Sequence, residues 1–335
     1  MPTLTQDPVQ WGIVAPGNIA RKFARDLRIA DGGHLRAVAG RDLGRARNFA
    51  DEFGAELAFD EISALAADPT VDMVYIAAPH NAHFGIAKLM LEAGKPVLCE
   101  KPMTVSANEA RELIALSQAK GVFLMEAMWT RFLPLYARIR EWLDEGRIGR
   151  PLMVSSAFCI QPERNPENRF FNPALAGGGL LDVGVYAVAI SQFVMGRKPD
   201  RIAAMATLSE TGVDELLSAS LHYDHGGLAQ IVCGLSTAFD NALVIGGEKG
   251  FIRVPAVFIH GREAILNIGG KTEVFTVPPR GEGFEYEIEE AMRCLRAGWI
   301  ESPLMPHADT LANLETMDEI RRQIGLRYSN EVADS

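Results

Sequence analysis

The sequence predicts an α/β protein: an N-terminal Rossmann-type, doubly wound parallel sheet, then a C-terminal α/β domain with a large, mostly antiparallel open sheet. Three observations predict it. Up to Ala127, short apolar runs alternate with segments whose apolar residues recur at helical spacing. A glycine-bearing turn follows the first of those runs. Beyond Trp129 the pattern changes to consecutive strand-like runs joined by short turns. A length of 335 residues suits two domains, and the change in pattern places them at residues 1–128 and 129–335.

Trp11 to Ala15 is the first strand, and Gly17-Asn18-Ile19-Ala20 opens a helix that buries Ile19, Ala20, Phe23, Ala24 and Leu27. Leu35 to Gly40 is the next strand, followed by a helix through Ala46, Phe49 and Ala50. Val71 to Ala78 leads through Pro79-His80-Asn81 into a helix that stops at Gly94. Val97-Leu98-Cys99-Glu100 is a buried strand ended by Lys101-Pro102. Ser106-Ala107-Asn108-Glu109 reads as a capping box, and Val122 to Ala127 closes the series, counted as the sixth strand.

The turn after the first strand reads Ala15-x-Gly17-x-x-Ala20, a dinucleotide fingerprint with alanine in the first glycine position. Gly17 lets backbone approach a pyrophosphate at the helix N-terminus, where Asn18 and Ile19 supply N–H groups; a plain tight turn is the alternative. The end of the second strand selects between cofactors. NAD enzymes usually carry an acid there for the ribose hydroxyls. Here Gly40-Arg41-Asp42 stands there, with Arg45 and Arg47 following. Arginines suit a 2′-phosphate, so NADP is expected and NAD remains possible through Asp42.

Open α/β sheets bind ligands at the carboxyl ends of their strands. Lys101 stands at such an end, which makes it a candidate for chemistry. A salt-bridged strand end involving Glu100 is the alternative.

In the second half, residues 132–145 form an amphipathic helix. Leu152–Ile160, Arg201–Leu208, Leu216–Tyr223, Ala229–Thr237, Ala242–Ile245 and Phe251–Val254 read as strands. Asp224-His225-Gly226-Gly227 reads as a hairpin turn. Too few helices remain to cover both faces of such a sheet, so one face is expected to pair with another subunit as a homodimer or a tetramer of dimers. Gln161 to Gly178 is a long polar loop whose only cations are Arg164 and Arg169. It runs into Gly177-Gly178-Gly179-Leu180-Leu181-Asp182-Val183-Gly184-Val185-Tyr186 and an apolar helix to Met195. Asp182 and Tyr186, four apart, project from one face. They either serve a ligand, whose close approach the glycines favour, or bond only to each other.

A formal net charge of -10 argues against a nucleic-acid surface and for a small-molecule partner. Four cysteines without CxxC spacing suggest reduced thiols and a cytoplasmic protein. Met1 to Gln10 lacks the features of a signal peptide. No apolar stretch approaches the roughly 20 residues of a membrane span. His80-x-x-His83 has no further ligand cluster beside it, and no metal is expected.

Glu100-Lys101-Pro102, Pro79-His80-x-x-His83, the glycine-rich Asp182-x-Gly184-x-Tyr186 segment and Phe123 to Phe132 together resemble the Gfo/Idh/MocA oxidoreductases. Within that family the likeness is to the dihydrodiol dehydrogenase and NADP-dependent xylose dehydrogenase branch. It covers nearly the whole chain in order, including Glu301-Ser302-Pro303.

The resemblance implies hydride transfer between NAD(P) and a sugar or cyclic alcohol. It also implies a cofactor pocket lined by Pro79, His80, His83, Glu100, Lys101, Trp129 and Arg131. Lys101, Asp182 and Tyr186 are the implied catalytic residues, and with Arg169 they bind substrate. Tyr186 stands where inositol dehydrogenases have histidine, which favours sugars or diols. A free tyrosine titrates near about 10, and a neighbouring ammonium lowers that value, so Tyr186 is the candidate acid/base. Lys101 as proton carrier is the alternative. An aromatic-diol dehydrogenase is a second reading of the whole chain, and a non-catalytic NADP-sensing regulator a third.

Overall fold

The computed structural model describes residues 7–328; residues 1–6 of the N-terminal stretch judged above lie outside the described residues. In chain order the first elements are β1 (Val9–Val14), α1 (Asn18–Leu27), β2 (Gly33–Ala39), α2 (Leu43–Phe53), β3 (Leu57–Phe59), α3 (Ile62–Ala67), β4 (Met73–Ile76), α4 (His80–Glu92), β5 (Val97–Glu100), α5 (Ala107–Lys120) and β6 (Leu124–Ala127). There follow α6 (Pro134–Asp144), β7 (Pro151–Cys159), a π-helical turn (Leu180–Gly184) continued by α7 (Val185–Met195), β8 (Arg201–Leu208), β9 (Asp214–His222) and β10 (Leu228–Gly234). The last are β11 (Leu243–Gly247), β12 (Gly250–Val254), β13 (Glu263–Ile268), β14 (Lys271–Thr276), α8 (Phe284–Arg296) and α9 (His307–Ile324).

The chain divides into two compact units. The first contains the chain to Thr104, Asn108–Phe132 and Arg280–His307; the second contains Val105–Ala107, Leu133–Pro279 and the chain from Ala308. The sequence reading gave everything after residue 128 to the second domain. The structure instead returns Arg280–His307, and with it α8, to the first unit. Asp26 of α1 accepts from the backbone N–H groups of Glu282 and Phe284, which fixes the start of α8 against α1.

In the first unit six parallel strands run in the order β3-β2-β1-β4-β5-β6. The order reverses between β1 and β4, the crevice where doubly wound sheets bind dinucleotides. β4, β5 and β6 are buried at every position, as strands covered on both faces must be. α1 buries Ala20, Phe23, Ala24 and Leu27, and Phe23 stacks on Tyr75 of β4 at 3.7 Å. α5 begins directly after Ser106, where the capping box put it.

The second unit holds an eight-stranded sheet ordered β14-β13-β12-β11-β7-β10-β9-β8, antiparallel except between β7 and β10. The Tyr223–Gly227 turn joins β9 to β10 as read. β13 and β14 were not read from sequence, although the Gly269-Gly270 pair that joins them, both at positive φ, is a hairpin signal. The run Pro173–Met195 is long and apolar enough to cross a membrane, against the expectation above. Its most apolar window is 89% buried inside the protein, so it reads as a core helix.

Strand register places Met205, Leu216, Leu228, Phe251 and Val274 on one face of the sheet, all exposed. Ser155, Ser218, Ser220 and Gln230 lie between them on that face. The opposite face buries Val154, Leu221, Ile231, Ile245, Ile252 and Leu266.

Candidate active site

At the carboxyl edge of the parallel sheet, Ala15 takes φ +67°, the left-handed conformation for which the fingerprint uses glycine. An L side chain there costs on the order of 1 kcal/mol. The Ala15 N–H donates to Ala39 O at 2.9 Å, and the Gly17 N–H donates to Ala15 O at 2.8 Å, closing the turn. A Cβ on Gly17 would meet nothing nearer than Ala15 O at 3.9 Å, so protein packing does not demand glycine there. The N-terminus of α1 has no side-chain cap and no acid in its first turn. An open glycine face at an uncapped helix start fits a pyrophosphate, with the Asn18 and Ile19 N–H groups available to it.

At the end of β2, Asp42 has a structural task. Its Oδ1 accepts from the Arg45 N–H at 3.0 Å and caps α2. Arg41 and Arg45 are both exposed, and neither guanidinium makes an ion pair among the described residues.

Lys101 follows β5 and is half-buried. Its N–H donates to Glu100 Oε2 at 3.2 Å, while Glu100 Oε1 accepts from the Tyr75 hydroxyl. Glu100 thus braces the strand end that presents Lys101 from inside the unit, where it is buried. His83 lies in the first turn of α4. It is fully buried, with Nδ1 2.9 Å from Pro102 O and Nε2 2.8 Å from Ala78 O. Burial pushes its pKa down, so the neutral ring has one N–H to donate and the other nitrogen only abuts a carbonyl. Through these two carbonyls the ring ties the turn after β4 to the Lys101-Pro102 turn. His80, one turn earlier, is the first residue of α4 at the carboxyl end of β4. Trp129 is packed face to face with Phe284 at 5.3 Å, and Arg131 Nη1 lies 3.5 Å from Met305 Sδ.

In the second unit, Asp182 lies in the π-helical turn and Tyr186 in the first turn of α7, both buried. Such turns recur at functional sites. Tyr186 meets Phe158 of β7 edge-on at 5.8 Å. Arg169 Nη1 donates to Asp182 Oδ1 at 2.5 Å, and its guanidinium lies 4.0 Å from the Phe170 ring centroid. The loop's other cation, Arg164, pairs with Glu215 at 2.8 Å.

The glycine triplet is packed against the protein itself at two of its three positions. A Cβ on Gly177 would lie 2.7 Å from Arg169 O, and one on Gly178 would lie 2.2 Å from Asp214 Oδ1. Packing of the protein against itself thus requires glycine at both positions. Asp214 is the residue that sequence reading missed. A single acid at a strand start gives no signal, yet it is fully buried, and burial raises its pKa to about 7. Glu287 of α8, also missed, is fully buried, and burial together with Glu100 and Asp26 raises its pKa well above the usual carboxylate range.

Residues 9–128 match the family model described as an oxidoreductase family with an NAD-binding Rossmann fold, and residues 136–253 match the GFO/IDH/MocA C-terminal domain. Over 334 residues the chain is 36% identical to trans-1,2-dihydrobenzene-1,2-diol dehydrogenase of Mus musculus, covering 96% of this chain and 99% of that one. A 3-ketoreductase from Actinomadura kijaniata, solved in complex with NADP and TDP-benzene, superposes with a TM-score of 0.85 at 26% identity, covering 95% of this chain and 98% of that one. Structures of the same ketoreductase with one lysine replaced, and with one tyrosine replaced, hold the same two ligands. An aldose-aldose oxidoreductase from Caulobacter crescentus, complexed with glycerol, shares the fold at a TM-score of 0.87 and 21% identity, covering 94% and 97%.

Proposed function

This chain belongs to the GFO/IDH/MocA oxidoreductase family, and from that premise we propose that it moves a hydride between NADP and one carbon of a vicinal diol, in a pyranose sugar or a carbocyclic dihydrodiol. It is an NAD(P)-binding oxidoreductase acting on CH–OH groups. The observation that carries the finer reading is the full-length likeness to a diol dehydrogenase. Preference for NADP is supported by Arg41 and Arg45, which have no ion partner among the described residues, and by Asp42, whose carboxylate already caps α2. The NADP in related structures supports it too.

NADP, when bound, supplies the hydride acceptor or donor. Tyr186 takes the hydroxyl proton as the C–H electron pair leaves with the hydride, and returns it in the reverse direction. The Lys101 ammonium stabilises the developing alkoxide, and Asp182, with Arg169, orients the second hydroxyl. The exposed sheet face bearing Met205, Leu228 and Phe251 seats a second copy of the chain in a homodimer. The direct test is oxidation of trans-1,2-dihydrobenzene-1,2-diol, D-xylose, D-glucose and myo-inositol with NADP and with NAD, read as reduced nicotinamide. Turnover of the dihydrodiol or a pyranose with NADP is expected. Turnover of myo-inositol alone, or with NAD alone, would contradict the assignment.

A further inference from the structure

We propose that Asp214 is a positioning residue for this site: its carboxylate anchors the glycine turn from which the helix bearing Asp182 and Tyr186 begins. The inference rests on the roles given above to those two residues. Asp214 opens β9. Its Oδ2 accepts from the Leu180 N–H at 2.6 Å, at the first residue of the π-helical turn. Its Oδ1 occupies the space that a side chain on Gly178 would need. From another side, the Tyr328 hydroxyl donates to Gly177 O at 2.6 Å. The turn is therefore clamped immediately before Asp182.

The neighbouring residue extends the clamp. Successive side chains of a strand point to opposite faces. Asp214 reaches the glycine turn, while Glu215 pairs with Arg164 in the long loop. That loop returns to the site through Arg169, which holds Asp182. One strand start thus fixes both the loop and the helix that carry the reactive groups. Burying a carboxylate beside a partner-poor Oδ1 costs stability. A group retained at such a cost, at this joint, is placed for geometry.

The test uses full-length Asp214→Ala and Asp214→Asn, with NADP and trans-1,2-dihydrobenzene-1,2-diol or D-xylose as probes. Removing the acceptor is expected to speed amide exchange at Leu180 by at least about tenfold. It should lower kcat by about 100-fold, the scale of a small misplacement of reacting groups, with the Kd for NADP unchanged. Asn keeps an acceptor oxygen and should bring exchange and kcat back to near wild type. Gly179→Ala, whose Cβ would sit 3.3 Å from Asp214 Oδ2, disturbs the same joint and should lower kcat without changing NADP affinity, should the alanine variant not fold. Unchanged Leu180 exchange in Asp214→Ala, near-normal kcat in that variant, or an Asn variant as impaired as Ala overturns the inference. Tyr186→Phe is measured alongside. Near-normal kcat there would overturn the catalytic reading instead, while Leu180 exchange still reports whether the anchor exists.

Discussion

Arg169 Nη1 lies 2.5 Å from Asp182 Oδ1, joining a half-exposed cation on a long loop to a carboxylate buried in the site helix. A hydrogen bond to a charged group is worth about 1.5–3 kcal/mol. Arg169→Ala should therefore reduce kcat/KM by roughly 10- to 100-fold. Arg169→Lys should recover part of it. Steady-state kinetics of the two variants check this, and an alanine variant with wild-type kcat/KM would detach Arg169 from the site.

Arg41 is exposed and makes no ion pair among the described residues. If it reads a 2′-phosphate, Arg41→Ala should raise the Kd for NADP by about 10-fold or more and leave the Kd for NAD nearly unchanged. Fluorescence titration with both cofactors measures this. Equal weakening of the two would remove Arg41 from phosphate recognition.

The buried carboxyl of Asp214 sets a pH dependence of stability. Its pKa rises from 3.8 to about 7 on folding, because burial penalises the charged form. The folded state thus holds a proton that the unfolded state has lost between about pH 4 and about pH 7, and stability falls as pH rises through that window. Asp214→Asn removes this loss. Its Tm should exceed wild type above about pH 7, with the difference shrinking toward about pH 4. Glu287→Gln should behave in the same sense, since burial, Glu100 and Asp26 all raise that carboxyl. Thermal melts across pH decide it, and a difference that grows at low pH would reverse the argument.

Met205, Leu216, Leu228, Phe251 and Val274 share one exposed sheet face. Stable interfaces bury more than about 1,000 Å², and a charge at the centre of such a face is costly. Light scattering should show a dimer or larger assembly at micromolar concentration, and Leu228→Glu with Phe251→Glu should shift it toward monomer. A wild-type monomer would contradict the reading.

Strand and helix alternation was legible because covered parallel strands are apolar at every position, as Met73–Ile76 and Val97–Glu100 are. The Asp182–Tyr186 helix and the Lys101 strand end were legible for a related reason: polar groups interrupt apolar runs there. β3 escaped notice because it has three residues, all only half-buried. β14 escaped because nearly all its side chains are exposed and no alternation marks it. α8 was assigned to the wrong unit because sequence order says nothing about the Asp26 cap that draws it back to α1. The His83 ring and the glycines at 177 and 178 all meet protein atoms closely. Residue type records that a close contact is needed, and only the fold reveals whether protein or ligand supplies it.

In the mechanism proposed above, Tyr186 and Lys101 act together on one proton and one developing charge. Tyr186→Phe, Lys101→Met and the double variant test it most directly, through kcat with NADP and the best diol substrate. General acid/base assistance is worth roughly 10²–10⁴-fold, so each single variant should lose about that much. The double variant should be little worse than the poorer single one, because residues acting as a unit are not additive. NADP binding should persist in all three. A Tyr186→Phe enzyme with near wild-type kcat, or losses that simply multiply in the double variant, would contradict the account.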